Sequence, residues 1–336
     1  AAPAPGADPR AVCFLAYARL NYGNPATGSA LATRALAEAR ANDDRWCAAA
    51  ALTVLASAAL FRGEIDEVER YATQSAALFD ELREGWGRLE AAEHLAHHAE
   101  ITGDYERARR LHSEGARRAE ELGLWTHVSY RLTGQGRIAL LTGDLPRSRE
   151  LHERARDLAA KHLDPAGEEY ATVGLAMVAR RAGRPADAEA LLAPWLEWNR
   201  RLRTPHGLAL ILAELGFAAE QRGALDQAAE LHLEGLAAAH ETADPRAIAL
   251  ALEGLAGVRA TAGESAPAAQ LLGTATALRA ATGAPLPPAE RGDVDRITAL
   301  ATQSLGPDTF AAEHRRGTAM RPDEHPGTAT AIVTRP

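Results

Sequence analysis

The sequence has one lysine, two cysteines and few aromatic residues, and it lacks the features of several protein classes. Lys161, the single lysine beside 36 arginines, follows no glycine-rich loop, which excludes a phosphate-binding P-loop. A net charge of −8 argues against binding to nucleic acid, because phosphate contacts need a basic surface. There is no apolar run of membrane-spanning length and no secretion signal at the start, so we expect a cytoplasmic protein.

Glycine recurs every forty residues, and a period of this length is typical of a helical solenoid. Eight residues before the glycine stands a leucine in six of the seven units, and eight residues after it stands leucine or tyrosine. Apolar positions recur at spacings of three and four, which predicts two helices per unit, helix A before the glycine and helix B after it. The repeat glycines are Gly23, Gly63, Gly103, Gly143, Gly183, Gly223 and Gly263.

The boundaries between units carry signals for helix ends. Asp164, Thr204 and Asp244 each precede a proline, which places a capping side chain before a proline at the first helical position. Gly123 and Gly283 stand where a helix B should end. No alternating strand pattern is present, so we predict an all-α chain.

These signals predict a right-handed superhelical solenoid of helical hairpins with a C-terminal cap. Pro288 and Pro307 suit the starts of two further helices after the forty-residue step breaks. We expect a linker over 1–10, seven hairpins over 11–285, an atypical capping hairpin over 286–320 and a flexible tail over 321–336.

The first predicted helix is unusual for a terminal repeat, because Ala11–Leu20 is almost wholly apolar. We therefore expect it to pack against an upstream repeat or domain of a longer polypeptide, or to form a homo-oligomer contact. Cys13 and Cys47 lie on successive A helices about six residues out of phase. Because this stagger separates them by about 9 Å along the helix axis, we predict two free thiols.

Helix A has a leucine followed by a small residue, and the turn "GDY" at 103–105 leads into a helix B with a small residue, a combination that resembles the tetratricopeptide repeat. That family has a shorter period of about 34 residues. The longer unit is similar to the helical sensor regions of large bacterial ATP-dependent transcription regulators, including the maltose-regulator (MalT/LuxR) type. The segment Leu250–Gly317 resembles the carboxy-terminal end of actinobacterial regulators of the SARP, or AfsR-like, group.

The resemblance implies a function as well as a fold. In these regulators a DNA-binding domain and an ATPase precede the repeats, and both would be partners of the repeats within the same polypeptide. The implied function is a non-enzymatic module that receives a signal or binds a partner and controls those domains. A free-standing scaffold that binds a peptide or protein is the alternative.

The A helices of such hairpins line the concave face, where ligands and partner segments lie. An arginine and tyrosine patch on that face suits a carboxylate, a phosphate or an acidic peptide. We therefore predict a protein or peptide partner, or a small anionic effector, bound through Arg137, Arg180 and Arg181. Counting from each repeat glycine selects these groove positions: Tyr17, Glu93, His97, Glu100, Tyr130, Arg137, Tyr170, Met177, Arg180, Arg181, Phe217 and Glu220.

Three other patterns have both a functional and a structural interpretation. The run "GQGRIA" at 134–139 imitates a dinucleotide-binding fingerprint, but it falls inside a predicted helix, so its glycines indicate close helix packing. Glu93, His97 and Glu100, or His94 and His98, share a helix face as metal ligands would, yet no further ligand is identifiable. We therefore predict no metal and no cofactor.

One histidine recurs at a fixed repeat phase beside a core leucine, as His112, His152 and His232. This recurrence predicts hydrogen bonds between helices rather than catalysis. No cluster of acid, base and nucleophile stands out elsewhere, so we predict that the chain is not an enzyme.

Overall fold

The computed structural model describes residues 8–22, 25–202 and 204–328, so the repeat glycine at position 23 lies outside the described residues. Every regular element within these ranges is helical, which confirms the all-α prediction. The α-helices are α1 (Pro9–Tyr22), α2 (Pro25–Ala41), α3 (Arg45–Arg62), α4 (Ile65–Glu81), α5 (Gly85–Ile101), α6 (Tyr105–Glu121), α7 (Trp125–Leu141), α8 (Leu145–Lys161), α9 (Pro165–Arg181), α10 (Pro185–Leu202), α11 (Pro205–Gln221), α12 (Leu225–Thr242), α13 (Pro245–Thr261), α14 (Ser265–Ala281), α15 (Gly292–Leu305) and α16 (Pro307–Thr318), with 3-10 helices at Pro288–Glu290 and Pro322–Glu324.

From α2 to α14 a new helix begins every twenty residues, so the forty-residue period consists of two equal steps. Each turn within a hairpin holds a glycine whose φ lies between +71° and +85°, a conformation that a Cβ atom disfavours. The six described repeat glycines therefore recur because the chain reverses with a left-handed residue at each of them.

The described turns between hairpins use the same left-handed backbone, although among them only Gly123 and Gly283 are glycines. In an L-residue with a side chain this conformation is unfavourable by roughly 1–2 kcal/mol. The glycine pattern therefore does not reveal every turn. Four of the turns hold a residue with a side chain at φ values of +53° to +56°, namely Asp43, Arg83, Leu163 and Ala243.

Two of the three predicted caps before a proline are present. The carboxylate of Asp164 accepts a hydrogen bond from the Gly167 amide at 3.1 Å, and that of Asp244 accepts one from the Arg246 amide at 2.9 Å. The prediction is wrong for Thr204, because its hydroxyl donates to the side-chain oxygen of Asn199 instead.

The chain divides into two compact units, residues 1–131 and 132–336. In each unit successive helices pack together, and the A helices of neighbouring hairpins also contact one another: α1, α3 and α5 in the first unit, and α9, α11 and α13 in the second. The A helices are thus the more tightly packed layer of each unit. At the end of the second unit, α15 lies on α13 and α14, and α16 lies on α14.

The core of the first unit includes most of the apolar first helix. Val12 is fully buried, whereas Phe14 is 73% exposed, so only one edge of this helix is uncovered. Cys13 and Cys47 are free thiols, as predicted. They nevertheless lie close together, because the Cys13 Sγ is 3.6 Å from the main-chain oxygen of Cys47.

Among the described residues, α3 is the helix that is long and apolar enough to cross a membrane. More than half of it is buried within the protein, where Leu52, Val54 and Leu55 join the core of the first unit. Its apolar character is explained by this packing.

Two buried histidines fill gaps that glycines leave between helices of the second unit. The His152 ring on α8 lies between Gly136 on α7 and Gly174 on α9, where an added Cβ would come within 2.6 and 2.1 Å of it. The His232 ring on α12 is held in the same way by glycines of α11 and α13. The glycine of the "GQGRIA" run thus serves close packing within α7.

The predicted hydrogen bonds between helices are wrong for these histidines. His152 Nδ1 lies 2.8 Å from the main-chain oxygen of Ser148, within its own helix. Neither ring nitrogen of His112 or His232 has a hydrogen-bond partner among the residues that the structure describes. The histidines recur because a flat ring fits the space between helices.

Residues 321–328 pack against the end of the second unit. His325 is 3% exposed, and its Nε2 lies 2.8 Å from the hydroxyl of Thr274 on α14. The prediction of a flexible tail from residue 321 does not fit these eight residues. The remainder of that predicted tail, 329–336, lies outside the described residues.

We expect Leu163→Gly to stabilise the protein by about 0.5–1 kcal/mol, because the strain at φ +56° exceeds the entropic cost of a glycine. The Leu163 side chain is 89% exposed, so little packing is lost. Urea unfolding would measure the change. Leu202→Gly makes the same replacement at an exposed position that is helical, and it should destabilise by about 1 kcal/mol. A loss of stability in both variants would contradict the prediction.

We expect the free energy of unfolding to fall as the pH drops from about 6.5 toward 4. Burial lowers the pKa of His152 to about 4. Burial also lowers the pKa of His232 to about 3, and the charge of Arg180 contributes to this shift while that of Asp293 opposes it. The folded state keeps both rings neutral while the unfolded chain takes up protons. Each histidine therefore lowers the free energy of unfolding by up to roughly 3 kcal/mol over this pH range.

Urea unfolding between pH 7.5 and 4.5 would measure this dependence. In His152→Gln the slope of stability against pH should be shallower, whatever the stability of the variant at neutral pH. The control is Leu163→Gly, at an exposed residue without a titratable side chain, and it should leave the slope as it is in the parent protein. Equal slopes in all three proteins would refute the assignment.

Candidate functional site

Three of the predicted groove arginines meet in the second unit, near the carboxyl ends of two A helices. Arg137 stands on α7, and Arg180 and Arg181 are the last two residues of α9. Residues 288–296 of the cap pack against these arginines, because Glu290 contacts Arg137 and Asp293 contacts Arg180. A cleft of about 610 Å³ lies between these elements, and it is lined by Arg180, Arg181, Gly183, Pro185, Gln221, Ala289, Glu290, Gly292 and Asp293.

Arg180 is buried and surrounded by carboxylates. Its Nε and Nη2 donate to the two oxygens of Glu214, at 2.7 and 3.3 Å, and its Nη1 donates to Asp293 at 2.9 Å. The ring of Phe217 lies below, with its centre 5.0 Å from the guanidinium carbon. Burial opposes the charged form, but Glu214 and Asp293 outweigh it and raise the pKa of Arg180. Arg180 is therefore a structural cation.

Two further ion pairs join the cap to the A helices. Arg137 donates from Nη2 to Glu290 at 3.1 Å, and its Nη1 lies 3.7 Å from the sulfur of Met177. Arg296, on α15, donates from both Nη atoms to the buried carboxylate of Glu220, at 2.8 and 3.0 Å. The cap therefore neutralises groove charges of both signs.

Arg181 differs from the other two arginines. It is exposed at the rim of the cleft, and it pairs with no carboxylate among the described residues. Its Nη1 donates to the main-chain oxygen of Leu140 at 3.3 Å. Desolvation by the surrounding protein, and then repulsion from Arg137, lower the pKa of Arg181. A cation next to other cations and without an anion is the electrostatic feature of an anion-binding surface.

The other groove positions of the second unit do not share the cleft. Tyr170 lies on α9 ten residues before Arg180, roughly 15 Å away along the helix axis, and it does not line the cleft. Phe217 is only 2% exposed and supports Arg180 from below. The structure therefore brings Arg137, Met177, Arg180 and Arg181 together and leaves the predicted tyrosine out.

Two groove positions of the first unit, Glu93 and His97, lie in largely buried surroundings. Glu93 lies 3.3 Å from Nη2 of Arg131, a fully buried arginine that the repeat pattern did not single out. Although burial opposes it, the charge of Arg131 lowers the pKa of Glu93 to about 2. The His97 ring packs edge-on against His112, with 6.3 Å between centres. Glu100 and Tyr130 are half-buried, and Tyr17 is exposed.

The two candidate metal-ligand sets of this region do not converge. His94 Nε2 lies 3.0 Å from the hydroxyl of Ser57 on α3, whereas His98 Nε2 lies 3.8 Å from the carboxylate of Glu69 on α4. Within 8–22, 25–202 and 204–328, no group of three or more such residues is arranged to hold a metal ion.

Sequence reasoning missed the acidic half of the cleft. Glu214 stands on a groove helix, but Glu290 and Asp293 lie beyond the last repeat, where no period assigns a position. The one available signal was the density of charge in "PAERGDVDR", at 288–296, immediately after the repeats end.

The sequence matches no protein-family model and no curated protein. Solved structures do match. A Rap protein in complex with the competence and sporulation factor superposes with a TM-score of 0.61 at 12% identity, covering 94% of this chain and 98% of the Rap chain. The apo form of RapI superposes with a TM-score of 0.50 at 9% identity, covering 93% of this chain and 96% of RapI.

At these identities the likeness establishes the fold alone. The chain is built of tetratricopeptide-like helical repeats, as are the Rap proteins. The finer resemblance, to the sensor regions of SARP, AfsR-like or maltose-type regulators, is matched by neither comparison and stays a prediction.

We expect Arg180→Met to destabilise the protein by about 3–5 kcal/mol, because it leaves the buried carboxylate of Glu214 without its partner. Arg181→Ala, one residue along, should change stability by less than about 0.5 kcal/mol, because it breaks no ion pair. Thermal and urea unfolding of the two variants would measure this difference. Similar stability in the two variants would show that Arg180 is not a structural residue.

Proposed function

We propose that this chain is a non-enzymatic interaction module that binds an acidic segment of a protein partner in the cleft beside Arg137, Arg180 and Arg181. The observation that carries the proposal is Arg181, an exposed cation at the rim of a cleft of about 610 Å³ that forms no ion pair with a carboxylate among the described residues. Guanidinium groups bind carboxylates in a bidentate way, which provides both strength and orientation.

The chemistry of the cleft favours a chain segment over a small ion. Its arginines are already contacted by carboxylates that a polypeptide presents, Glu290 at Arg137 and Asp293 at Arg180. The cleft therefore accommodates a backbone that carries acidic side chains. Repeat folds of this kind offer extended surfaces for partner segments, and one Rap neighbour is in complex with the competence and sporulation factor. A small anionic effector is the second candidate, because Arg181 alone suits a phosphate or carboxylate.

The absence of catalysis is part of the proposal, and the described side chains support it. Burial raises the pKa of the Cys13 thiol to about 11 and that of Cys47 to about 12, which makes both poor nucleophiles. The carboxylates of Glu214 and Glu290 are held in ion pairs with arginines, so both are engaged in structural contacts.

We extend the proposal to the cellular setting from the sequence resemblance. There the module is cytoplasmic and belongs to a larger transcription regulator of the SARP or AfsR-like kind, and its bound partner controls the ATPase and DNA-binding domains of that polypeptide. A free-standing scaffold with the same cleft is the alternative. The full reading frame separates the two, because only the regulator encodes a P-loop ATPase and a helix-turn-helix.

We expect Arg181→Ala to weaken the binding of acidic peptides about tenfold, which corresponds to about 1.4 kcal/mol for one charged hydrogen-bonded pair. The probe is a fluorescein-labelled nonapeptide with a glutamate and an aspartate three residues apart and a third acidic residue for Arg181, and its anisotropy gives the Kd. Arg149→Ala, at an exposed arginine of α8 that pairs with Glu153, is the matched control and should bind like the parent protein. Binding should also weaken steeply between 50 and 500 mM salt.

Two results would decide against the proposed function. The first is equal peptide affinity in the Arg181→Ala and Arg149→Ala proteins, which would place the site elsewhere. The second is competition by inorganic phosphate at the same concentration as the peptide, which would favour a small anionic effector over a protein segment.

A further inference from the structure

The acidic side chains at the cleft come from one continuous segment, residues 288–296, which we call the strap. It holds three carboxylates and two arginines. Glu290 contacts Arg137, Asp293 contacts Arg180, and Arg296 contacts Glu220. The strap thus reaches three A helices that lie 76 to 153 residues earlier in the sequence.

The two acidic contacts of the strap are accessible to water. The side chains of Glu290 and Asp293 are each 24% exposed, whereas Arg296 holds the Glu220 carboxylate, which is only 2% exposed. Water therefore competes for the pairs of Glu290 and Asp293, and the pair of Glu290 with Arg137, partly exposed on both sides, contributes little to stability. On the cleft floor, by contrast, Arg180 keeps both hydrogen bonds to Glu214 if the strap leaves.

Buried residues hold the chain on both sides of the strap. Ala284, before the strap, is 4% exposed, and Ile297, immediately after it, is fully buried in the core with Ala268 and Leu272. No heavy atom lies within 4 Å of a Cβ placed on Gly292, in the middle of the strap. Residues 288–293 can therefore lift from the arginines while the rest of α15 keeps its hydrophobic anchor at Val294 and Ile297 and its ion pair with Glu220.

We propose that the strap is an intramolecular competitor for the cleft, and that the partner binds by displacing it with an acidic pair spaced three residues apart, as Glu290 and Asp293 are. This inference rests on the proposed function and specifies the recognition element of the partner. In the part of the chain that the structure describes, the strap makes no ion pair with Arg181, whose Nη1 donates to the main-chain oxygen of Leu140. A partner with a third acidic group gains a contact that the strap does not make, so it replaces the strap instead of merely matching it.

The first test weakens the strap and leaves the cleft floor intact. The probe is the labelled peptide of residues 288–296, acetylated and amidated at its ends, added to the full chain. Asp293→Asn should bind this peptide three- to tenfold more tightly than the parent protein, because the tethered competitor is weaker. Asp295→Asn is the matched control, since Asp295 pairs with Arg291 of the same segment and contacts no cleft residue, and its affinity should not change.

A second measurement follows the strap itself. Amide hydrogen exchange of residues 286–296 should accelerate in Asp293→Asn, and in the parent protein when saturating peptide is added, while exchange in α9 and α11 stays as it is. A peptide with glutamine and asparagine in place of its first glutamate and first aspartate should have neither effect.

The outcomes separate this inference from the proposed function. Peptide binding that Arg181→Ala weakens but that Asp293→Asn and Glu290→Gln leave unchanged overturns the strap as a competitor and leaves the cleft as a binding site. No binding to the Glu290→Gln/Asp293→Asn double variant, with native circular dichroism and accelerated exchange in the strap, overturns both.

Discussion

A left-handed residue at each described turn, at a spacing of twenty residues or a multiple of it, is the constraint on which the rest of the structure depends. Because the turns are equally short and the helices have 17 or 18 residues from α2 to α14, equivalent positions in different hairpins meet equivalent neighbours. This equivalence places His152 and His232 in matching gaps between glycines. One extra residue in a turn would rotate the next helix by about 100° and remove each ring from its gap.

The sequence predicts this regularity to the extent that glycine marks it. Gly143 and its equivalents predict the turns within hairpins, and the two Asp-Pro pairs predict the starts of α9 and α13. Leu163 adopts the same left-handed conformation, although leucine does not predict it. The packing of the helices on either side fixes the turn and compensates its strain. A pattern of residue types records preferences, so it fails where tertiary packing overrides a preference.

In the candidate site, too, the repeat pattern predicted some residues and tertiary packing decided the others. Repeat phase alone placed Arg137, Arg180 and Arg181 on neighbouring A helices; in the structure Arg180 and Arg181 line one cleft, and Arg137 contacts Glu290 of its lining. Phase did not distinguish the buried Arg180 from the exposed Arg181, because burial there depends on Phe217 and on the cap. The acidic residues of the cap have no phase, so their contacts were beyond prediction from a single sequence.

A tethered competitor such as the strap sets the concentration or affinity that a partner needs in order to displace it. A segment held at both ends by short connections faces its site at an effective concentration in the millimolar range, so a partner with the same two carboxylates would displace it only at similar concentrations. A third charged hydrogen bond, to Arg181, is worth about 1.5–3 kcal/mol, which lowers that requirement by one to two orders of magnitude. Arg181, which forms no ion pair with the described residues, therefore gives a partner with three carboxylates its advantage over the strap.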